Sequence, residues 1–409
     1  MNPGAKPPPY RGARGHRRNS TALGRRFWVA LIALVLVAAV IVGALVLKGH
    51  NRAGTGGHAN SAGAHGPHSA KTTVTRKRPV PPPGVTATVL AWRLPVPVSR
   101  AVVLAGPGED LVVAGGLTPS GASGNAAFLL STRTGTLHLV AGLASGVHDA
   151  SGAVLAGRDV VLGGYGPAPI AMVQSFTAPS GAVVPASAVP MATATAALPQ
   201  PRAGSRTVTI GTTCYVVGGA GGASTDREVL ATTDGRTFRA VATLPVAVEY
   251  PAVAALGGYI FVFGGASVAG HTGAGTAVKA GAPVDDIQRV APATGQATVV
   301  GRLPTALEGA SAATLAGHVY IAGGWTGLTL QGTIWGYEPA TATVVVTGHL
   351  RPVSFAGLAV IGSTAWLVGG QSAGRPVATV QKFSPVPAQL AGPSTTTGAK
   401  LTPVAGGTA

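Results

Sequence analysis

Residues 303–350, LPTALEGASAATLAGHVYIAGGWTGLTLQGTIWGYEPATATVVVTGHL, contain four short apolar runs separated by turns. Valine, isoleucine, tyrosine and tryptophan dominate these runs, and such residues favour a pleated, largely buried surface. Glycine permits the positive φ angles at which the backbone leaves a strand. The stretch therefore predicts a four-stranded antiparallel meander with strands in 311–317, 318–324, 333–340 and 343–350.

The glycine pair that ends the second run recurs down the chain. Six such pairs, each after a short apolar run, lie at 115–116, 163–164, 218–219, 264–265, 323–324 and 369–370. Their spacing is close to the ~50-residue period of repeats that form propeller blades. A unit of this size cannot bury both faces of its own sheet, so several must stack around an axis. The pattern predicts an all-β, six-bladed β-propeller; five or seven blades would be less natural.

The two ends of the repeat region complement each other. After the sixth glycine pair, VATVQKF (377–383) supplies a third strand, and no fourth strand follows it. At the other end, ATVLAWRLP (87–95) closely repeats ATVVGRLP (297–304), which is a predicted fourth strand with its exit. We therefore expect residues 85–94 to complete the last blade, within a propeller spanning 85–385. Closure of this kind removes exposed sheet edges.

Residues 85–385 resemble kelch-type β-propellers, the fold also used by the galactose oxidase superfamily and by sialic acid mutarotases. The double glycine after an apolar run carries the resemblance, together with an aromatic residue in the third strand. The fourth strands depart from the family, which usually has a tryptophan there. The predicted fourth strand of the second blade reads AVVPA (182–186), for example, and only Trp92 comes close to the family pattern.

The N-terminal region has the features of a membrane anchor. Residues 27–47, FWVALIALVLVAAVIVGALVL, contain no charge and as a helix would span roughly 30 Å, the thickness of the hydrocarbon core. Six arginines precede this stretch, which places the N-terminus in the cytoplasm and the propeller outside the cell membrane. The sequence thus predicts a single-pass transmembrane helix. A cleaved signal peptide, ending near residues 42–44, is the alternative.

Charge and composition assign the remaining segments. The formal net charge is +17, but residues 1–84 hold 13 of the 29 Lys and Arg residues and no acidic residue. The basicity therefore belongs to the tail, which argues against specific nucleic-acid binding by the folded domain. We expect disorder in the cytoplasmic tail 1–26, in the spacer 48–84 and in the C-terminal tail 386–409. The Ala, Gly and Val content suggests a bacterial source.

Candidate binding residues cluster in the loops that enter the first strand of each blade, which should meet at the mouth of the central channel. Such a group could hold a polar ligand by charge-assisted hydrogen bonds, or its members could pair with one another and plug the channel. Trp325, directly after the fifth glycine pair, faces the same side. The candidates are Arg100, His148, Asp149, Arg202, Glu249, Tyr250, Glu308, Trp325 and Phe355.

Signatures of catalysis are weak. The five histidines of the domain lack metal-ligand spacing, Cys214 lies within a strand, and nucleophile-elbow, Walker and zinc-protease motifs are absent from the sequence. We therefore predict no catalytic or metal residues, no cofactor, and a non-enzymatic module that binds an envelope protein or glycan. One alternative is a mutarotase- or oxidase-like carbohydrate-active enzyme using Arg202 with Glu249 or Glu308. Another is a sensor whose basic tail contacts a cytoplasmic partner.

Overall fold

The computed structural model describes residues 80–179, 188–221, 226–267, 272–273, 276–277 and 281–387. The predicted cytoplasmic tail, the membrane helix, most of the spacer and nearly all of the C-terminal tail lie outside these residues. Within the described ranges, no helix has the length and apolar character needed to cross a membrane. The described part of the chain is built from β-strands.

The strands, numbered in chain order, are short and mostly five residues long. They are β1 (Val85–Val89), β2 (Val102–Ala105), β3 (Leu111–Ala114), β4 (Ala126–Leu130), β5 (Leu137–Gly142), β6 (Ser151–Leu155), β7 (Arg158–Leu162), β8 (Met172–Phe176), β9 (Thr193–Ala197), β10 (Arg206–Ile210), β11 (Thr213–Val217), β12 (Glu228–Thr232), β13 (Arg239–Thr243), β14 (Val248–Glu249), β15 (Ala252–Leu256), β16 (Tyr259–Phe263), β17 (Ala266–Ser267), β18 (Thr272–Gly273), β19 (Thr276–Ala277), β20 (Asp286–Ala291), β21 (Gln296–Arg302), β22 (Ser311–Leu315), β23 (His318–Ala322), β24 (Thr333–Glu338), β25 (Thr343–His349), β26 (Gly357–Ile361), β27 (Thr364–Val368), β28 (Gln371–Ser372), β29 (Arg375–Pro376) and β30 (Val380–Pro385).

Six four-stranded antiparallel sheets form the blades of a ring. From the inner strand outwards, blades 1–6 are β2-β3-β4-β5, β6-β7-β8-β9, β10-β11-β12-β13, β15-β16-β20-β21, β22-β23-β24-β25 and β26-β27-β30-β1. The inner strand of every blade contacts the inner strands of both neighbours, and the last contact joins β26 to β2. The described part of the chain is therefore an all-β, six-bladed β-propeller, which confirms the predicted propeller and its number of blades.

The first strand closes the ring. β1 pairs antiparallel with β30, from Val85 opposite Pro385 to Val89 opposite Gln381. Backbone hydrogen bonds continue beyond it, from the Leu90 N–H to the Val380 carbonyl oxygen at 2.9 Å. The outermost strand of blade 6 thus comes from the N-terminal end of the propeller, and its remaining three strands come from the C-terminal end.

Packing between blades supplies the core. Six clusters of buried apolar side chains occur, and each joins two adjacent blades. Between blades 5 and 6, for example, Tyr320 packs edge-on against Phe383 with ring centroids 6.3 Å apart. Each sheet is apolar on both faces because a neighbouring blade covers each of them.

The double glycines connect each blade to the next. In all six pairs, the N–H of the second glycine donates to a carbonyl oxygen in the following entering loop, over 2.7–2.9 Å. A β-carbon on the first glycine would lie no more than 2.5 Å from that same oxygen. Both glycines also have positive φ, between 57° and 69° for the first and between 95° and 108° for the second. Only glycine satisfies both conditions.

Three buried glutamines hold alternate entering loops in the same way. The side-chain amide of Gln174 in blade 2 accepts from the Ser145 N–H and donates to the Ser145 carbonyl oxygen, at 2.9 and 3.1 Å. Gln288 in blade 4 makes this pair of bonds with Val246, and Gln381 in blade 6 makes it with Arg351. A buried amide thus satisfies backbone groups that would otherwise lack partners.

The role of the glycine pairs gives a test with a matched control. Gly115 (φ 64°) would place a β-carbon 2.5 Å from the Val147 carbonyl oxygen, whereas Gly108 (φ 65°) has nothing within 4 Å. Both Gly→Ala changes meet left-handed backbone strain of about 1–2 kcal/mol. Gly115→Ala must also displace a hydrogen-bonded carbonyl group, which adds about 1–3 kcal/mol. Equal losses of unfolding free energy in denaturant titrations of the two variants would contradict this account.

Candidate binding site at the double-glycine face

One face of the ring carries the entering loops and the residues that follow the glycine pairs; we call it the double-glycine face. One residue of each entering loop has left-handed backbone, with φ between 52° and 69°. The N–H of each donates to the carbonyl oxygen of its counterpart in the preceding blade, over 2.7–3.1 Å, so the six bonds form a closed cycle around the axis. The members of this cycle are Arg100, Asp149, Gly204, Tyr250, Gly309 and Phe355.

Side chains of the cycle fill its centre. Arg100 Nη1 donates to both carboxylate oxygens of Asp149, at 2.9 and 3.1 Å. The guanidinium carbon lies 4.0 Å from the ring centroid of Phe355 and 5.0 Å from that of Tyr250. The Tyr250 hydroxyl donates to Asp149 at 3.3 Å. A β-carbon on Gly309 would lie 2.7 Å from the Phe355 ring, so the glycine leaves room for it. We call the side chains of Arg100, Asp149, Tyr250 and Phe355 the plug.

The charges of the plug compensate each other. Burial alone would lower the pKa of Arg100, but the charge of Asp149 and the contact with Tyr250 outweigh it and raise this pKa. Burial, followed by the charge of Asp149, raises the pKa of the Tyr250 phenol. Arg100 therefore stays protonated and Tyr250 stays neutral, and the Arg100 guanidinium packs beside two aromatic rings whose centroids are 5.3 Å apart.

Two carboxylates, those of Glu249 and Glu308, lie beside the plug. Glu249 and Glu308 each lie one residue before a member of the cycle, and Glu308 exchanges two backbone hydrogen bonds with Trp325, at 2.8 and 2.9 Å. No described residue donates a hydrogen bond to either carboxylate. Burial raises the pKa of both; the charges of Asp149 and Glu308 raise that of Glu249 further, while Arg100 opposes the shift in each case.

His148 occupies the same position in blade 2, but its ring is held by neighbours. Nδ1 lies 2.9 Å from the Ser123 hydroxyl, and Nε2 lies 3.7 Å from an Asp149 oxygen. The ring centroid is 5.3 Å from that of Tyr165. Burial lowers the pKa of His148 below 6.5, although Asp149 opposes the shift. The imidazole is therefore mostly neutral near pH 7.

Aromatic and aliphatic side chains also lie on this face, in the loops that follow the glycine pairs. Trp325 and Tyr165 each follow a glycine pair, in blades 5 and 2, and Tyr165 is 38% exposed. Leu328, three residues beyond Trp325, is 87% exposed. Tryptophan and tyrosine are enriched at protein interfaces, where they supply large contact area and a polar group.

Arg202 lies apart from these residues. Its guanidinium donates to the carbonyl oxygens of Gly218 and Glu228, at 3.2 and 2.9 Å, and lies 3.5 Å from Asp226. The residue is 2% exposed. The sequence analysis placed Arg202 among the residues at the channel mouth, whereas the structure places Gly204 in the cycle, two residues later. The structure thus brings together the predicted residues other than Arg202, with Trp325 at the edge of the group.

One residue at the axis escaped the sequence analysis. Arg206 is the first residue of β10, and its side chain points into the central channel among small and aliphatic residues. The sequence did contain a signal for Arg206, since it is the one charged residue at the first position of an inner strand. The other inner strands begin with small or aliphatic residues, namely Val102, Ser151, Ala252, Ser311 and Gly357. Among the described residues, no group of three or more His, Cys, Asp and Glu side chains is arranged to hold a metal ion.

No protein-family model matches the sequence, and no curated protein is significantly similar to it. The chemistry of the site therefore has to be read from its own geometry.

The ion pair of the plug can be tested by a double-mutant cycle. Arg100→Met leaves Asp149, which is 3% exposed, as an uncompensated buried charge, and we expect a loss of about 3–5 kcal/mol of unfolding free energy. Asp149→Asn should cost a similar amount, while the double variant should lose clearly less than the sum of the two. Arg133→Met, at an exposed position, is the control. Additive losses would show that the two side chains stabilise the ring independently.

Proposed function

We propose that this propeller is a non-enzymatic binding module whose double-glycine face takes a basic segment of a partner protein. The observation that carries the proposal is the pair of half-buried carboxylates, Glu249 and Glu308, beside charges that are already paired. A partly desolvated carboxylate without a partner gains most from a lysine or arginine side chain, because a charge-assisted hydrogen bond replaces solvation that burial has already weakened.

The surroundings of these carboxylates favour a protein over a neutral glycan. Trp325 is tied to Glu308 through the backbone, and exposed Leu328 lies three residues further along the same loop. Beside the two acids, an aromatic and an aliphatic side chain would contact the hydrocarbon stem of a basic residue and the apolar neighbours of that residue. A neutral sugar would leave both acids without a counter-charge.

The carbohydrate-active alternative has less support. It requires an arginine beside Glu249 or Glu308, and the Arg202 guanidinium is instead bonded to the Gly218 and Glu228 carbonyl oxygens. Arg100 does lie near both acids, but it is held by Asp149 and two aromatic rings.

The experiment measures binding of an acetylated tetralysine peptide, with a tetraglutamate peptide as the charge control. Fluorescence anisotropy should show binding of the lysine peptide that weakens with salt. We expect the double variant Glu249→Gln/Glu308→Gln to bind about tenfold or more weakly, since charged hydrogen bonds are worth about 1.5–3 kcal/mol each. Glu109→Gln removes one negative charge at an exposed turn on the opposite face and should bind normally. Equal affinity in all variants would refute the proposed site.

The raised pKa values of Glu249 and Glu308 predict a pH dependence. Peptide binding needs ionised carboxylates, so affinity should fall as pH is lowered through pKa values above the usual 4.5. Folding stability should change in the opposite direction. The folded state holds these protons more tightly than the unfolded state, so protonation in that window stabilises the fold. The double Gln variant should lose both effects, and an unchanged profile would contradict the assignment.

We further propose that the protein is a kelch-type propeller held outside the cell by a single membrane span at residues 27–47. The double-glycine repeat supports the first part. The uncharged stretch and the six arginines before it support the second. Placement at the envelope would present the double-glycine face to other envelope proteins.

Tags at the two ends of the full chain test this topology. Protease added to spheroplasts should remove a C-terminal tag and spare an N-terminal one, with the full-length protein retained in membranes after an alkaline wash. Release of the C-terminal tag into the medium without protease would instead indicate a cleaved signal peptide, and loss of the N-terminal tag alone would indicate the reverse orientation.

A further inference from the structure

The six inner strands enclose a central channel of about 310 Å³. Its walls consist mainly of alanine, valine, serine and threonine side chains and of the free edges of the strands. This volume lies at the small end of the range for ligand pockets. The channel is therefore large enough for water or a small organic molecule and too small for a folded partner.

The channel is blind. At the double-glycine face, the hydrogen-bonded cycle and the plug close it. At the other end, the residues that line it become exposed, as Ala105, Val154 and Thr209 do; Val154 is 49% exposed. Any ligand must therefore arrive from the face opposite the one proposed to bind a protein.

Arg206 lies at the closed end of this channel, next to the plug. The only hydrogen bond that its guanidinium makes to a described residue runs from Nη1 to the Ser205 carbonyl oxygen, at 3.0 Å. Arg100 and Arg206 are the two charged residues that line the channel, and Arg100 is paired with Asp149. Asp149 thus pairs with Arg100, and Arg206 has no carboxylate of its own among the described residues.

An unpaired guanidinium is costly inside a protein. Burial lowers the pKa of Arg206, and Asp149 and Tyr250 only partly offset this. An arginine nevertheless stays protonated in proteins, so the charge persists at the bottom of the channel. A small anion would relieve this cost, and the planar fork of donors matches two oxygens of a carboxylate.

We propose that the channel is a binding site for a short aliphatic monocarboxylate, with its carboxylate on Arg206 and its hydrocarbon tail directed along the walls. Val208, two residues further along β10, is half-buried and lines the channel, together with alanine residues of the neighbouring inner strands. The walls present both apolar and polar surface, so they can take a short hydrocarbon tail, and the single net positive charge selects one negative group. The site is separate from Glu249 and Glu308, so the two proposals stand independently.

Saturation-transfer NMR on the full chain tests this site with butyrate as the probe and butyramide as its uncharged counterpart. We expect saturable binding of butyrate and not of butyramide. Arg206→Met should weaken butyrate binding about tenfold or more. Arg236→Met, which removes an exposed arginine from the same blade, should leave it unchanged. Equal butyrate binding in Arg206→Met, equal binding of butyramide, or no saturable butyrate binding would each overturn the proposal.

A second variant protects the test if Arg206→Met fails to fold. Val154→Trp adds bulk at the exposed end of the channel and should slow or abolish butyrate binding; unchanged binding would contradict the channel as the route. Neither variant touches the double-glycine face, so both should still bind the tetralysine peptide. Failure of either proposal is therefore visible on its own.

Discussion

Each blade is joined to the next by a hydrogen bond from the second glycine of a pair to the carbonyl oxygen of the following entering loop, and this bond is made six times around the ring. The first glycine leaves no space for a β-carbon because the same oxygen lies against it. The bond fixes the distance between neighbouring sheets at their inner ends. Apolar packing between blades then operates on surfaces already brought to the right separation.

The closed cycle of backbone bonds at the axis depends on this spacing. Four of its six members are residues with side chains, held at φ values between 52° and 57° that cost roughly 1–2 kcal/mol each. Such strain persists only where the surrounding structure determines the conformation. Here the two bonds that each member makes to its neighbours do so, and they direct Arg100, Asp149, Tyr250 and Phe355 into one central cluster.

That cluster separates two environments of opposite charge. On the side of the double-glycine face, Glu249 and Glu308 have no hydrogen-bond donor among the described residues, and Trp325 is bonded to Glu308 through the backbone. On the channel side, Arg206 has no carboxylate of its own among the described residues. Arg100 and Asp149 neutralise each other within the plug. Neither of them therefore fully neutralises the two glutamates on one side of the plug or Arg206 on the other. The propeller thus offers an acidic open surface and a basic closed channel along the same axis.

The sequence by itself determined the blade count, the positions of most strands and the closure of the last blade by a strand within residues 85–94. Glycine pairs and apolar runs mark turns and strands locally. Repeated four-stranded units can bury their faces in few ways other than by stacking around an axis. It also identified most residues of the central cluster, because charged side chains are rare in this domain. One strand was misplaced: the fourth strand of blade 2 is Thr193–Ala197, later than the predicted AVVPA. Its threonines and alanines carry little strand signal of their own, and its pairing with β8 decides its place.

Only the tertiary structure decided which side chains face each other. Arg202 and Arg206 lie four residues apart, and counting residues favoured the first as the axial arginine. The left-handed residue between them, Gly204, turns the chain so that Arg202 packs toward Asp226 and Arg206 enters the channel. A one- or two-residue difference in where a loop turns reverses the direction of a side chain. That turn is set by hydrogen bonds to the neighbouring blades, more than forty residues away in the chain.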